Sequence, residues 1–201
     1  MTPGTAYLID DDEAIRDALS WLLHSRNVET QAWSSAESFL SDYSESMRGC
    51  IVLDIRMRTM SGLECFDALQ KRASSLPVIF LTGHGDVPQA VQAIKNGAFD
   101  FIEKPFNDNE LADRIISALE HDDNNRRARK TDASLDARLQ SLTAREQEVM
   151  ERVLAGKFNK VIADELNIAM RTVEVHRSHV FEKMGVRSAI ELAQLLATRG
   201  R

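Results

Sequence analysis

The sequence lacks the features of secreted, membrane and disulfide-rich proteins. No apolar run approaches the ~20 residues that a membrane-spanning helix needs, and residues 1–4 show no charged-then-apolar leader pattern. Two cysteines, Cys50 and Cys65, indicate no disulfide framework and suit a reduced compartment. With 43% hydrophobic and 28% charged residues, the chain has an ordinary globular composition. We therefore expect a cytoplasmic protein with no membrane partner.

Charge is distributed unevenly along the chain. Residues 1–138 carry 15 basic and 23 acidic side chains, whereas residues 139–201 carry 10 and 8. The change of sign supports two domains. The second segment is only weakly basic, so its charge alone does not indicate a nucleic-acid binder.

Short apolar runs alternate with amphipathic stretches over the first 120 residues or so. Five such repeats predict an α/β fold with a five-stranded, doubly wound parallel sheet. The predicted strands are residues 6–9, 28–32, 50–53, 77–81 and 101–103. The predicted helices are residues 13–25, 35–43, 61–72, 87–96 and 107–120. Capping patterns that indicate helix starts occur at Ser34 with Glu37, Ser61 with Glu64, and Asn107 with Glu110.

The second half of the chain contains a polar stretch and then purely helical patterns. Residues 121–138 lack Gly and Pro and fit either a solvated linker or a charged extension of the fifth helix. Their acid-then-base order suits the helix dipole, so we predict a partly helical linker. Residues 139–201 predict a small all-α domain. Its helices are expected from Thr143 to before Gly156, then over 159–166, 170–184 and 188–198.

Polar side chains stand where the predicted strands end. Asp10 and Asp11 follow the first strand, Asp54 the third, Thr82 the fourth and Lys104 the fifth. Parallel sheets bind ligands at the carboxyl ends of their strands. Clustered carboxylates repel one another unless a cation joins them, which favours a hard divalent ion. Such a set could hold a metal, supply a carboxylate nucleophile and receive a transferred oxyanion.

Residues 6–120 resemble a response-regulator receiver domain, which is flavodoxin-like. The motifs that carry the resemblance are Ile9-Asp10-Asp11-Asp12, Leu53-Asp54-Ile55-Arg56-Met57, Leu81-Thr82-Gly83 and Lys104-Pro105-Phe106. The resemblance implies that Asp54 accepts a phosphoryl group from a sensor histidine kinase. It also implies Mg²⁺ (or Mn²⁺), and the implied ligands are Asp10, Asp11, Asp54 and the backbone carbonyl of Arg56.

The same resemblance assigns roles to the remaining strand-end residues. Thr82 and Lys104 would bind the phosphoryl oxygens, the Lys104–Pro105 bond would be cis, and Phe101 would be a switch aromatic that turns inward. Arg56 and His84, two positions after Asp54 and Thr82, either tune the lifetime of the phosphate or are simply solvent-exposed. We interpret the neighbouring Asp12 as a helix cap.

Residues 139–200 resemble the helix-turn-helix effector of NarL/FixJ (LuxR-type) regulators. The motifs are Leu142-Thr143-Ala144-Arg145-Glu146, Gly156, Asn159-Lys160, Ile162-Ala163, Leu166, Thr172-Val173-Glu174-Val175-His176-Arg177 and Lys183-Met184-Gly185-Val186. The resemblance places helix 170–184 in the DNA major groove, supported by helix 159–166. By position, base contacts are expected from Glu174, Val175 and Ser178, and phosphate contacts from Lys160, Thr172, Arg177 and Lys183. Core positions are expected at Ile162, Ala163, Leu166, Val173, Val180 and Met184.

One position departs from the helix-turn-helix pattern. Ala169 stands before the predicted recognition helix, where the family usually has Ser or Thr. Alanine cannot cap, which should cost about 1 kcal/mol of helix stability.

Together the two resemblances imply a two-component transcription factor. Phosphorylation of Asp54 would promote homodimerisation, through the face around 87–96 and 101–103, and sequence-specific binding to a double-stranded DNA promoter. RNA polymerase is a further candidate partner.

The main alternative is a metal-dependent phosphohydrolase with an Asp nucleophile. Those enzymes need a second Asp two residues after the nucleophile, where Arg56 stands. A flavin-binding module is excluded because the acidic residues 10–12 would repel an FMN phosphate. We therefore expect no enzyme activity beyond Mg²⁺-assisted self-phosphorylation and slow self-dephosphorylation.

Overall fold

Five parallel strands form a sheet whose order confirms the predicted doubly wound fold. The computed structural model describes residues 4–83 and 86–197. The strands are β1 (Thr5–Ile9), β2 (Glu29–Trp33), β3 (Gly49–Asp54), β4 (Val78–Thr82) and β5 (Asp100–Glu103). They lie in the order β2-β1-β3-β4-β5, and every neighbouring pair is parallel.

Helices cover both faces of this sheet because its central strands are apolar on both faces. These helices are α1 (Glu13–Ser25), α2 (Ala36–Asp42), α3 (Gly62–Lys71), α4 (Val87–Lys95) and α5 (Asp108–Gln140). All residues of β3 and β4 are buried, as in strands that are covered on both sides. The core on one face includes residues of α1 and α5, and the core on the other includes residues of α2, α3 and α4.

Side-chain caps fix most of the helix starts where the sequence indicated them. The structure confirms predicted caps at Asp12, Ser61 and Asn107. The prediction that Ser34 caps α2 is wrong. Ser35 is the N-cap, and its hydroxyl accepts a hydrogen bond from the Ser38 amide. Two serines are adjacent here, and the spacing from Ser34 to Glu37 matched the capping-box pattern one residue too early.

The chain divides into two compact units, Met1–Arg126 and Arg127–Arg201, which we call the sheet unit and the helical unit. Helix α5 contributes residues to both units. The polar stretch 121–138 lies within this helix and is therefore helical throughout. Asp122 explains why the sheet unit extends to Arg126. Its Oδ2 accepts hydrogen bonds from the Gly49 amide at 2.9 Å and from Arg126 Nε at 2.7 Å. The extension of α5 is thereby tied to the start of β3.

The helical unit is built from short amphipathic helices around one apolar core. They are α6 (Ala144–Leu154), α7 (Asn159–Leu166), α8 (Met170–Met184) and α9 (Ala189–Ala197). The predicted end of the last helix at 198 lies outside the described residues. The six predicted core residues are all buried, namely Ile162, Ala163, Leu166, Val173, Val180 and Met184. Within the described part of the chain, no helix has both the length and the apolar character needed to cross a bilayer.

Candidate functional site

The strand order brings two acidic strand ends together. The chain runs from β1 outward to β2 and then crosses back past β1 to β3, so the strand order reverses between β1 and β3. Ligands bind at such a switch point, beyond the carboxyl ends of the strands. Asp10 follows β1, and Asp54 is the last residue of β3. Helix α3 starts close behind: a Cβ on Gly62 would lie 2.2 Å from the Asp54 carbonyl oxygen, so only glycine fits there.

Three carboxylates and one ammonium converge at this edge. Oxygen atoms of Asp10, Asp11 and Asp54 lie within 4.8 Å of one another. Lys104 Nζ donates a hydrogen bond to Asp10 Oδ2 and another to Asp54 Oδ1, each at 2.9 Å. Lys104 follows β5, and its amide donates to the Thr82 carbonyl oxygen at 2.7 Å, which holds the lysine beside β4. The predicted cis Lys104–Pro105 bond is present.

The electrostatics of this cluster leave it short of positive charge. Burial raises the pKa of Asp54; hydrogen bonding and attraction from Lys104 act against this, while Asp10 and Asp11 add repulsion. Burial would lower the pKa of Lys104, but its hydrogen bonds to Asp10 and Asp54 outweigh burial and raise it. Arg58 Nε also lies 3.2 Å from Asp11 Oδ2. Lys104 and the largely exposed Arg58 therefore set two positive charges against three carboxylates. Oxygen ligands in this number and spacing suit a hard divalent cation such as Mg²⁺.

Thr82 and Phe101, the two remaining predicted switch residues, lie in β4 and β5, and Thr82 hydrogen-bonds its own loop. Thr82 is fully buried at the end of β4, and its hydroxyl donates to the Gly83 carbonyl oxygen at 3.1 Å. Phe101 is half-buried in β5 and packs against the core on the α3–α4 side. Phe101 pairs in register with Phe80, two residues before Thr82. His84 lies outside the residues that the structure describes.

An ion pair near the cluster was missed by sequence reasoning. The Arg56 guanidinium donates from Nε to Asp86 Oδ2 at 2.6 Å and from Nη2 to Asp86 Oδ1 at 2.9 Å. Arg56 was expected either to tune a phosphate or to be solvent-exposed. The two residues are 30 positions apart, and no local pattern joins them. Only the packing of neighbouring strands brings their loops together.

The helical unit carries the second predicted surface, on helices α7 and α8. Five of the seven predicted DNA contacts are exposed, namely Lys160, Thr172, Glu174, Val175 and Ser178. Buried residues on the opposite side of α8, such as Val173 and Val180, hold the helix against its core. One face of α8 is therefore free in this unit to contact a partner.

The two remaining predicted contacts have partners inside the unit. Arg177 donates from Nη1 to Asn159 Oδ1 and lies 5.5 Å from the ring centroid of Phe181, a cation–π contact. Lys183 donates to Glu146 Oε2 at 2.6 Å and to the Ser141 carbonyl oxygen at 3.1 Å. These bonds anchor α8 beside the start of α6, and the phosphate contact of Lys183 stays a prediction.

Glu146 is the carboxylate that accepts the hydrogen bond from Lys183. It is nearly buried, and its capping box with Thr143 opens helix α6. The hydrogen bond from Lys183 and that from the Thr143 amide lower the pKa of Glu146 to about 2. His179 Nδ1 lies 3.5 Å from Glu146 Oε1. Sequence reasoning found the capping box, but it could not show that Glu146 also fixes the recognition helix.

Two family models match this chain in succession. Residues 6–116 match the response regulator receiver domain, and residues 140–196 match the luxR family of bacterial regulatory proteins. The C4-dicarboxylate transport transcriptional regulatory protein DctR of Rhodobacter capsulatus is 48% identical, and the alignment covers 95% of this chain and 98% of DctR. The transcriptional regulatory protein FixJ of Bradyrhizobium diazoefficiens is 41% identical over 99% of this chain and 97% of FixJ.

Solved structures show the same architecture over the whole length. The response regulator StyR has a TM-score of 0.90 and 40% identity, covering 98% of this chain and 99% of StyR. Full-length FixJ from B. japonicum has a TM-score of 0.64 and 40% identity, covering 100% of this chain and 98% of FixJ. Receiver domains of this kind bind Mg²⁺ at an acidic cluster, take their signal from a histidine kinase, and here precede a DNA-binding domain. The chain belongs to the NarL/FixJ family of two-component response regulators, which control transcription.

Proposed function

We propose that Asp54 is the residue that accepts the phosphoryl group. The observation that carries this proposal is the Lys104 ammonium, which lies 2.9 Å from both Asp54 and Asp10. Asp54 stands at the rim of the sheet, whereas Asp10 is almost completely buried. A phosphoryl donor that approaches the edge of the sheet therefore reaches Asp54 more easily. Lys104 is already placed to neutralise the oxygens that arrive.

The proposed metal ligands are the carboxylates of Asp10, Asp11 and Asp54 and the backbone carbonyl of Arg56, which belongs to the loop after β3. Mg²⁺ bound there would supply positive charge that neutralises the phosphoryl oxygens. Burial first, and then repulsion from Asp10 and Asp11, raise the pKa of Asp54, and a divalent ion would offset both by favouring the charged carboxylate. Mn²⁺ would satisfy the same oxygen ligands.

In the transfer step, an Asp54 carboxylate oxygen bonds to phosphorus as the bond from phosphorus to the kinase imidazole nitrogen breaks. The electron pair of that bond stays on the imidazole. Lys104 and the Thr82 hydroxyl would then hold the phosphoryl oxygens, and Thr82 would exchange its bond to Gly83 for one to the phosphate. Phe101, half-buried beside the same strands, would turn inward as Thr82 moves. Water later hydrolyses the acyl phosphate and resets Asp54.

The proposed output is homodimerisation followed by sequence-specific binding to double-stranded promoter DNA. The dimer face would include α4 and β5, where Val91 is a large apolar side chain exposed to solvent. The receiver domain would comprise residues 1–120, the linker 121–138 and the DNA-binding domain 139–201. RNA polymerase is a proposed further partner. Base contacts are proposed for Glu174, Val175 and Ser178, and phosphate contacts for Lys160, Thr172, Arg177 and Lys183.

Acetyl phosphate with Mg²⁺ provides a direct test on the full-length chain. Intact-mass spectrometry should show one added phosphoryl group on the wild type and none on Asp54→Asn. Asp42→Asn is a matched control, because Asp42 is exposed at the end of α2 and should leave labelling unchanged. Labelling of Asp54→Asn at the wild-type rate would refute the assignment of Asp54.

A further inference from the structure

Arg56 and Asp86 join the loop after β3 to the start of α4. The Arg56 guanidinium donates two hydrogen bonds to the Asp86 carboxylate, at 2.6 and 2.9 Å. The Asp86 side chain is only 5% exposed, whereas that of Arg56 is 72% exposed. A bidentate arginine–carboxylate pair of this kind is more directional and stronger than an ion pair with a single hydrogen bond. Asp86 is therefore a buried charge whose partner approaches from the solvent side.

Asp86 occupies the N-cap position of α4 but does not cap the helix with its side chain. Its backbone is in the helical region, at φ −106° and ψ −2°, and its carboxylate bonds to no helix amide. Aspartate is favoured at N-caps because its side chain normally accepts from the amides of the first turn. The Gln89 amide instead donates to the Asp86 backbone carbonyl oxygen at 2.9 Å. The Asp86 carboxylate is thus held by Arg56 and not by the first turn of α4.

Arg56 also has a second acidic neighbour. Its hydrogen bond to Asp86 is the main reason why the pKa of Arg56 is raised, and the charge of Asp54 raises it further. Asp54 stands two residues before Arg56, at the end of β3. A phosphoryl group on Asp54 would carry a charge of about −1.5 to −2 and three acceptor oxygens. That is more negative charge and more acceptor oxygens than the Asp54 carboxylate alone presents to the guanidinium.

We propose that the Arg56 side chain is an exchangeable counter-ion, which holds the Asp86 carboxylate at rest and moves to the phosphoryl group when Asp54 is phosphorylated. The move releases the buried Asp86 carboxylate at the start of α4 from its partner. Phosphorylation of Asp54 would thereby change the contacts at the start of α4 through the Arg56 side chain. A phosphate shifts this equilibrium because it binds one of the two arrangements only. The inference rests on the proposed role of Asp54.

Titration of the full-length protein with beryllofluoride and Mg²⁺ tests the exchange, because beryllofluoride mimics an aspartyl phosphate. Asp86→Asn removes the competing charge and keeps the size and shape of the side chain. We expect it to tighten beryllofluoride binding by about fivefold, the size of an exposed ion pair. In an Arg56→Gln background the same substitution should change nothing. An equal effect of Asp86→Asn in both backgrounds, or no tightening with Arg56 present, would overturn the exchange.

Nitrogen-15 NMR of the arginine side chains tests the exchange in the wild type, without any variant. The Arg56 Nε–H should be coupled to the Asp86 carboxylate at rest and should lose that coupling when beryllofluoride and Mg²⁺ are added. If beryllofluoride binds but the coupling persists, the exchange is wrong while the role of Asp54 stands. If Asp54→Asn still binds beryllofluoride, the role of Asp54 itself is wrong.

Discussion

Asp54 and Glu146 are both nearly buried carboxylates that accept a hydrogen bond from a lysine, yet their pKa values move in opposite directions. The pKa of Asp54 is raised, chiefly by burial. The pKa of Glu146 is lowered to about 2, chiefly by Lys183. The difference lies in the neighbours. Glu146 also receives the Thr143 amide, whereas Asp54 shares Lys104 with Asp10 and faces Asp11.

The comparison separates a reactive carboxylate from a structural one. A carboxylate whose donors satisfy it is stabilised in its charged form and anchors the fold. A carboxylate that is short of donors and crowded by acids gains from a cation or from a change in its chemistry. Each unit thus contains a lysine–carboxylate pair, and of these two we propose that the pair in the sheet unit is the reactive one.

The largest expected effect comes from Lys104. Lys104→Ala should slow labelling by acetyl phosphate about 100-fold, because the positive charge that receives the phosphoryl oxygens is lost. The initial rate of labelling, followed by mass spectrometry, measures it. Lys183→Ala, which removes the matching lysine of the helical unit, should leave that rate unchanged. A similar loss of rate in both variants would show that labelling depends on general stability instead.

Replacing each carboxylate by its amide should change stability in opposite directions. Glu146→Gln should lower the free energy of unfolding by about 2–3 kcal/mol, because it weakens charge-assisted bonds to a nearly buried group. Asp54→Asn should raise the urea midpoint at pH 7, because it removes a carboxylate that the fold makes harder to ionise. Urea unfolding followed by circular dichroism tests both. Glu174→Gln, exposed on α8, is the control and should change stability by less than about 0.5 kcal/mol.

The pH dependence of stability should follow the same division. The folded pKa of Glu146 lies below its unfolded value of 4.5, so its contribution is complete above pH 4.5 and is lost as the pH falls towards 2. For Asp54 the folded pKa is the higher one, so its contribution is lost as the pH rises. Urea titrations of the helical signal at several acidic pH values should show a smaller acid loss in Glu146→Gln. An identical acid loss would contradict the assigned pKa of Glu146.

The smallest effect concerns the start of α8. Ala169 is its N-cap, and no side chain caps the helix there. Ala169→Ser should add about 1 kcal/mol to stability, because a hydroxyl can accept from the first-turn amides. Thermal unfolding would measure it, with Ala155→Ser at the exposed end of α6 as a control that adds no cap. No gain from Ala169→Ser would mean that water already caps α8 equally well.

Local patterns in the sequence were sufficient to predict the strands and the strand-end residues. The apolar runs that end at Ile9 and Leu53 predicted β1 and β3 within a residue. Because parallel strands end at one edge, the proximity of Asp10 and Asp54 followed from their positions alone. The linker was harder to predict: its polar sequence fitted either coil or helix, and the structure shows helix.

What could not be predicted depends on contacts between distant parts of the chain. Arg56 and Asp86 lie on separate loops, and Asp122 reaches back to Gly49 across 73 positions. The helical pattern of α8 placed Lys183 on the surface. It could not show that Glu146, 37 positions earlier, stands opposite. Such pairs can be identified only in the packed fold, because the sequence around each residue indicates no more than an ordinary solvated charge.

The most direct measurement is to locate the phosphoryl group chemically. The full-length protein would be treated with acetyl phosphate and Mg²⁺, reduced with borohydride, which converts an aspartyl phosphate to homoserine, and mapped by peptide mass spectrometry. We predict homoserine at position 54 and an unmodified Glu146. Reduction at Asp10 or Asp11, or at none of the three carboxylates in a labelled protein, would contradict the account.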